Sequence, residues 1–121
     1  DVINGSSGAD DIEGGNGADI IDGGTEGDVI GGGSGVDDIT GAAGNDTVSG
    51  GISADELRGG DGADTVNGNG DGDALFGNSG SDTLNGGNGS DSLNGGSGTD
   101  KCRGNAGTDG ATACEVKSSI P

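Results

Sequence analysis

Aspartate recurs along this chain with a fixed period: Asp1, Asp10, Asp19, Asp28, Asp37, Asp46, Asp55, Asp64, Asp73, Asp82, Asp91, Asp100 and Asp109 stand in steps of nine, without insertion or deletion. The chain has no His and only two Cys, so these carboxylates offer oxygen ligands and little else. Zinc and copper favour imidazole or several thiolates. Calcium takes about six to eight oxygens from carboxylates and carbonyls in flexible geometry, whereas magnesium demands a tighter octahedron and keeps its waters. The chemistry in view is therefore hard-cation ligation, and calcium suits it best. Catalysis has no support, since no Ser has a base to activate it and the repeated carboxylates are taken by metal. Nor does the Gly-rich chain contain a dinucleotide fingerprint or a P-loop Lys.

Two further registers position these carboxylates. Two residues after each Asp comes Ile3, Ile12, Ile21, Ile30, Ile39, Val48, Leu57, Val66, Leu75, Leu84, Leu93, Cys102 and Ala111, mostly large and aliphatic. Five residues before each Asp from Asp10 onward stands a Gly, from Gly5 to Gly104. Tracts such as Gly59-Gly60-Asp61-Gly62-Ala63-Asp64 cannot sustain a helix, because each Gly weakens one by about 1 kcal/mol. Triplets such as Thr65-Val66-Asn67 alternate polar, apolar, polar, the pattern of a half-buried strand whose middle residue points inward. A disordered tail has no reason to keep three registers at once.

Composition sets the limits. Of 121 residues 33 are Gly, one is aromatic, and apolar residues reach only 26%, too few for an ordinary core. With 22 acidic and 4 basic residues the net charge is −18, which argues against binding nucleic acid. No apolar run is long enough for a membrane span, and nothing at Asp1 resembles a signal peptide. So many like charges repel one another in any compact state, so the metal-free chain is expected to be largely unfolded.

The unit reads Gly-Gly-x-Gly-x-Asp-x-U-x, with U aliphatic, and clean copies run over residues 14–22, 32–40, 59–67, 86–94 and 95–103. The chain thereby resembles the RTX, or haemolysin-type, calcium-binding nonapeptide repeat family, a period tied to calcium-binding parallel β-helices. The resemblance covers residues 1–112 and implies an all-β, right-handed parallel β-roll. In it, six residues form a metal-binding turn, three form a strand, and two repeats make one 18-residue coil. It further implies that Ca²⁺ lies between turns n and n+2, held by both repeat Asp side chains and by carbonyls of the Gly tracts, such as Gly15, Gly17, Gly33, Gly35, Gly60, Gly62, Gly87, Gly89, Gly96 and Gly98. The twelve turns ending in Asp10, Asp19, Asp28, Asp37, Asp46, Asp55, Asp64, Asp73, Asp82, Asp91, Asp100 and Asp109 form ten such pairs, so up to about ten internal ions are expected. Asp1 has no turn before it.

Several turns depart from the pattern. Glu26, Ser53 and Asp71 replace the fourth Gly, and a residue with a Cβ is not expected to reach the same φ. Asn69, Asn78 and Asn105 replace the second Gly, a milder change because Asn tolerates left-handed conformations. Asp61 and Asp71 read as solvated extra carboxylates. Asn67-x-Asn69-x-Asp71-Gly72 opens like an EF-hand, but Asn78 stands where the bidentate Glu belongs and neither flank can be a helix. On the outer strand faces Thr47, Thr65 and Thr83 recur every 18 residues beside Ser49, Asn67 and Asn85, and Phe76 points outward.

The period fades after Asp109. Residues 113–121 read as a cap that keeps the frame, with Ser118 in the Asp slot and Ile120 pointing inward. A disulfide between Cys102 and Cys114 fits a protein that works at extracellular calcium levels. The expected protein is thus a secreted or cell-surface calcium-binding structural module, not an enzyme. The alternatives are a calcium-dependent adhesin or ice-binding surface, and the C-terminal RTX region of a secreted enzyme or toxin whose catalytic domain lies outside this chain. The start in mid-repeat points to an upstream domain or self-association at that end.

Overall fold

In a computed structural model, which describes residues 1–118, alternation and glycine turns produce fourteen short strands and no helix among the described residues. One sheet takes the odd strands β1 (Val2–Asn4), β3 (Ile20–Thr25), β5 (Asp38–Ala43), β7 (Glu56–Asp61), β9 (Ala74–Ser79), β11 (Ser92–Ser97) and β13 (Gly110–Thr112) in that order. The other takes β2 (Asp11–Asn16), β4 (Val29–Ser34), β6 (Thr47–Ile52), β8 (Thr65–Asn69), β10 (Thr83–Asn88), β12 (Lys101–Ala106) and β14 (Val116–Ser118). Every pairing is parallel, and up to β13 partners are 18 residues apart, as in Ile30↔Val48 and Leu75↔Leu93. The chain is a β-solenoid of stacked 18-residue coils.

The strands run longer than the expected three residues. Most span six, because the ladder continues through the first half of each turn, with pairs such as Gly15↔Gly33 and Asn16↔Ser34. Pairing holds there because the second turn position adopts a positive φ, +100° at Gly15, which bends the chain without breaking the stack. A Cβ on Gly33, the equivalent position one coil on, would collide with the Gly15 carbonyl oxygen.

Period-two alternation buries three residues of each repeat. The aliphatic series from Ile12 to Leu93, with Cys102, forms one continuous core, against which Ile3, Ala111 and Cys114 pack. The repeat Asp and the first Gly of each turn lie on the same inner side, and Asp19 to Asp109 are buried in step with the core. A core one side chain thick thus carries a carboxylate at each edge.

Candidate metal centre

The carboxylates form two rows. Asp10, Asp28, Asp46, Asp64, Asp82 and Asp100 precede the even strands; Asp19, Asp37, Asp55, Asp73, Asp91 and Asp109 precede the odd ones. Within a row one hydrogen bond repeats: the backbone N–H of each Asp from Asp10 to Asp91 donates to Oδ1 of the Asp one coil on. Asp46 N–H donates to Asp64 Oδ1 at 2.8 Å, and Asp64 N–H to Asp82 Oδ1 at 2.9 Å. This bond holds the carboxylates from Asp28 to Asp109 in one orientation. The second oxygen has no partner: in all twelve turns, from Asp10 to Asp109, Oδ2 is buried without a hydrogen bond.

The place to which Oδ2 points is built by glycine. A Cβ on Gly14 would lie 2.6 Å from Asp19 Oδ2 and 2.7 Å from the Gly32 carbonyl oxygen, and a Cβ on Gly23 would meet Asp28 Oδ2 and Gly41 O at the same distances. The first Gly of the turn therefore leaves space where an unpartnered carboxylate oxygen and a carbonyl from the next coil converge. An anionic oxygen in such a place is costly without a counterion. Burial, the largest cause, pushes the carboxyls of Asp46, Asp55, Asp82 and Asp91 above the usual range; the N–H bond from the preceding Asp opposes it, and neighbouring Asp charges add to it. At Asp64 and Asp73, flanked on both sides by further carboxylates, the pKa rises to about 6. Buried anionic oxygens beside carbonyls make a hard donor set, and calcium fits it. Among the described residues no three His, Cys, Asp or Glu side chains gather at one point, so a cation here needs main-chain oxygens as well as carboxylates.

The Gly carbonyls singled out from the sequence divide by position. Those at the fourth turn position, such as Gly17 and Gly62, point along the stack toward Gly35 and Gly80, and no backbone donor reaches them among the described residues. Second-position carbonyls are engaged in the ladder where the chain departs from regular strand: Ser6 O accepts Thr25 N–H, and Gly51 O accepts Gly70 N–H. The first-Gly carbonyls that converge on the same space as Oδ2, among them Gly32 and Gly41, went unnoticed in the sequence, because a carbonyl's direction leaves no mark on residue type. The invariant Gly five residues before each Asp was the only signal available.

Substituted turns still turn. Glu26, Ser53 and Asp71 take φ of 79°, 98° and 71°, against 104–138° for Gly17, Gly35, Gly44 and Gly62. The expectation that a Cβ would alter φ holds, yet all three enter the left-handed region, at about 1–2 kcal/mol each. Ser6 and Ala42 also replace the second Gly and take φ of 76° and 83°, two departures the sequence reading passed over. Asp61 and Asp71 are exposed, and Asp71 Oδ2 accepts the Ser53 N–H. Asp1 is also exposed, its nitrogen donating to Asp19 Oδ1.

Outside the rows, Thr47, Thr65 and Thr83 align as expected, between Val29 and Lys101. Asn85 donates to Asn67 beside them at 2.8 Å. Phe76 is half-buried on the outer face beneath Arg58, whose guanidinium carbon lies 5.7 Å from the ring centroid and which also pairs with Asp38 and Glu56.

Cys102 and Cys114 form a disulfide, with Cα atoms 5.9 Å apart. The cap does not keep the frame. Cys102 pairs with Lys117, only 15 residues on, so the last coil is three residues short and Ser118 lies opposite Arg103. The slack is removed in the Ala113–Glu115 turn, which the disulfide draws onto the core. Ile120 lies outside the described residues.

Parallel coils, an interior one residue thick and two rows of oxygen-lined turns define a β-solenoid that builds its sites from its own repeat. A family model described as RTX calcium-binding nonapeptide repeat (4 copies) matches residues 1–30, 31–66, 40–75, 49–84 and 76–111. The chain belongs to this family and is a calcium-binding repeat module. No curated protein matches it.

Proposed function

We propose that this module is a secreted, calcium-folded roll with a structural role, unfolded at low calcium and rigid at extracellular levels. The observation that carries this reading is the set of twelve buried Oδ2 atoms without partners. In eight of the turns a main-chain carbonyl converges on the same space, and at neutral pH a bound cation satisfies these anionic oxygens. Asp10 to Asp109 of the two rows would hold the ions, two carboxylates per ion, with first- and fourth-position turn carbonyls completing the shell; ten turn pairs accommodate up to about ten ions. Calcium would supply the positive charge that offsets burial and repulsion along each row. On this reading the carboxylates of the two rows serve structure rather than catalysis. A calcium titration followed by circular dichroism tests this: a cooperative gain of β signal supports it, and a folded chain in chelator at neutral pH overturns it.

The register of Thr47, Thr65 and Thr83 favours a second reading, an adhesive or ice-binding outer face on the calcium-loaded roll. Thermal hysteresis in saturating calcium that vanishes in Thr65→Tyr would support an ice-binding face, and no hysteresis would dismiss it.

A further inference from the structure

The short last coil rebuilds a turn that the repeat no longer encodes. One coil beyond Asp100 the period would place the next acidic residue at position 118, where Ser118 stands instead. In the structure Asp100 N–H donates to Glu115 Oε2 at 2.6 Å, so Glu115 takes the part that the following Asp plays in every earlier coil of that row. Glu115 N–H in turn donates to Asp100 O at 3.1 Å, fixing the two residues against each other. The carbonyl is replaced as well. A Cβ on Gly95 would lie 2.6 Å from Asp100 Oδ2 and would collide with the Ala113 carbonyl oxygen, just as Gly14 faces Asp19 Oδ2 and Gly32 O. Asp100 is fully buried and its Oδ2 has no hydrogen bond. The positive φ of Ala113 and the disulfide at Cys114 hold the substitute turn in place.

From this geometry we infer that Asp100, Glu115 and the Ala113 carbonyl form a further divalent-cation site, outside the nonapeptide repeat and additional to the ten repeat pairs. The inference rests on the calcium reading above and extends it to the cap. Glu115 Oε1 accepts no hydrogen bond among the described residues and supplies the second carboxylate oxygen. Because Glu115 is exposed, this site should exchange its ion faster than the internal ones.

Native mass spectrometry of the full chain across a calcium titration tests the site, with amide exchange as a second readout. Glu115→Gln should bind one ion fewer than the unmodified chain at saturation. Its cap strand Val116–Ser118 should exchange faster while the central strands keep their protection, which shows that the variant is folded. Glu13→Gln removes an exposed charge of the same type from an outer strand face and should lose no ion. An unchanged ion count in Glu115→Gln, or an equal loss in Glu13→Gln, overturns the cap site while leaving the internal rows standing. Failure of the unmodified chain to bind calcium would overturn both readings together.

Discussion

The central coils and the C-terminal cap bury carboxylates by different means. Around Asp64 and Asp73 each Asp is flanked by the same residue above and below, and the turn repeats without adjustment. At the cap one coil loses three residues, a disulfide pulls the chain inward, and a Glu stands in for an Asp. A repeat solves its stacking problem once and copies the answer. Its end has no next copy, so separate residues must be found to satisfy the last exposed groups. On the calcium reading proposed above, the centre would depend most on metal, and the cap would add covalent and local contacts to it.

The strongest way to break this comparison is to remove calcium altogether. At neutral pH in chelator, far-ultraviolet circular dichroism should report loss of β structure along the whole roll, with the disulfide as the one remaining constraint.

Next in size is a contrast of three carboxylates. Asp64→Ala removes a carboxylate that, on the proposed reading, would serve the ions beside both Asp46 and Asp82, so it should raise the calcium midpoint for folding several-fold and lower the number of bound ions. Asp109→Ala, at the end of its row, should affect only the one turn pair it forms with Asp91. Asp38→Ala, on an outer strand face, should leave both midpoint and stoichiometry unchanged. Equal effects at Asp64 and Asp38 would mean that calcium is held by diffuse charge.

Acid supplies a third test. The folded pKa values of Asp64 and Asp73 are about 6, above the ordinary value of 3.8. Protonation therefore favours the fold. This contribution is fully present below about pH 4 and disappears as pH rises through 6. In chelator, lowering pH from 7 to 4 should restore part of the β signal, and Asp64→Asn should weaken that response. A calcium-free chain that loses structure on acidification would contradict the sign.

The smallest effect is expected at the cap. Unreduced protein should show no free thiol, and reduction should destabilise the chain by about 3 kcal/mol. In saturating calcium the increase in amide exchange should stay near β12 and β14. Loss of the central strands on reduction would erase the distinction between the two regions.

The difference also explains what could be read from the sequence. Asp and aliphatic residues at fixed spacing reveal the coil length, the inward rows and both edges, because each position is sampled a dozen times. The disulfide was legible from Cys102 standing in an inward slot with a second Cys nearby. Glu115 was not, since it occurs once and lies three residues ahead of the frame. The ladder through the turns and the first-Gly carbonyls were hidden for another reason: both are main-chain features, and Gly specifies the space around a carbonyl without specifying its direction. Ser6 and Ala42 show that the period alone can hold a left-handed turn where residue type argues against it.

The stacking of coils at an 18-residue interval has a mechanical consequence. Neighbouring coils meet through one pair of ladders, one pair of carboxylate rows and the aliphatic stack between them, so a pull on the chain ends loads these interfaces in series. Extension should then proceed by release of whole coils, each adding about 60 Å of contour length at roughly 3.3–3.6 Å per residue. The force needed for each step would be set by the ions at that interface. A tether built this way would lengthen in equal increments and stiffen with the calcium concentration around it.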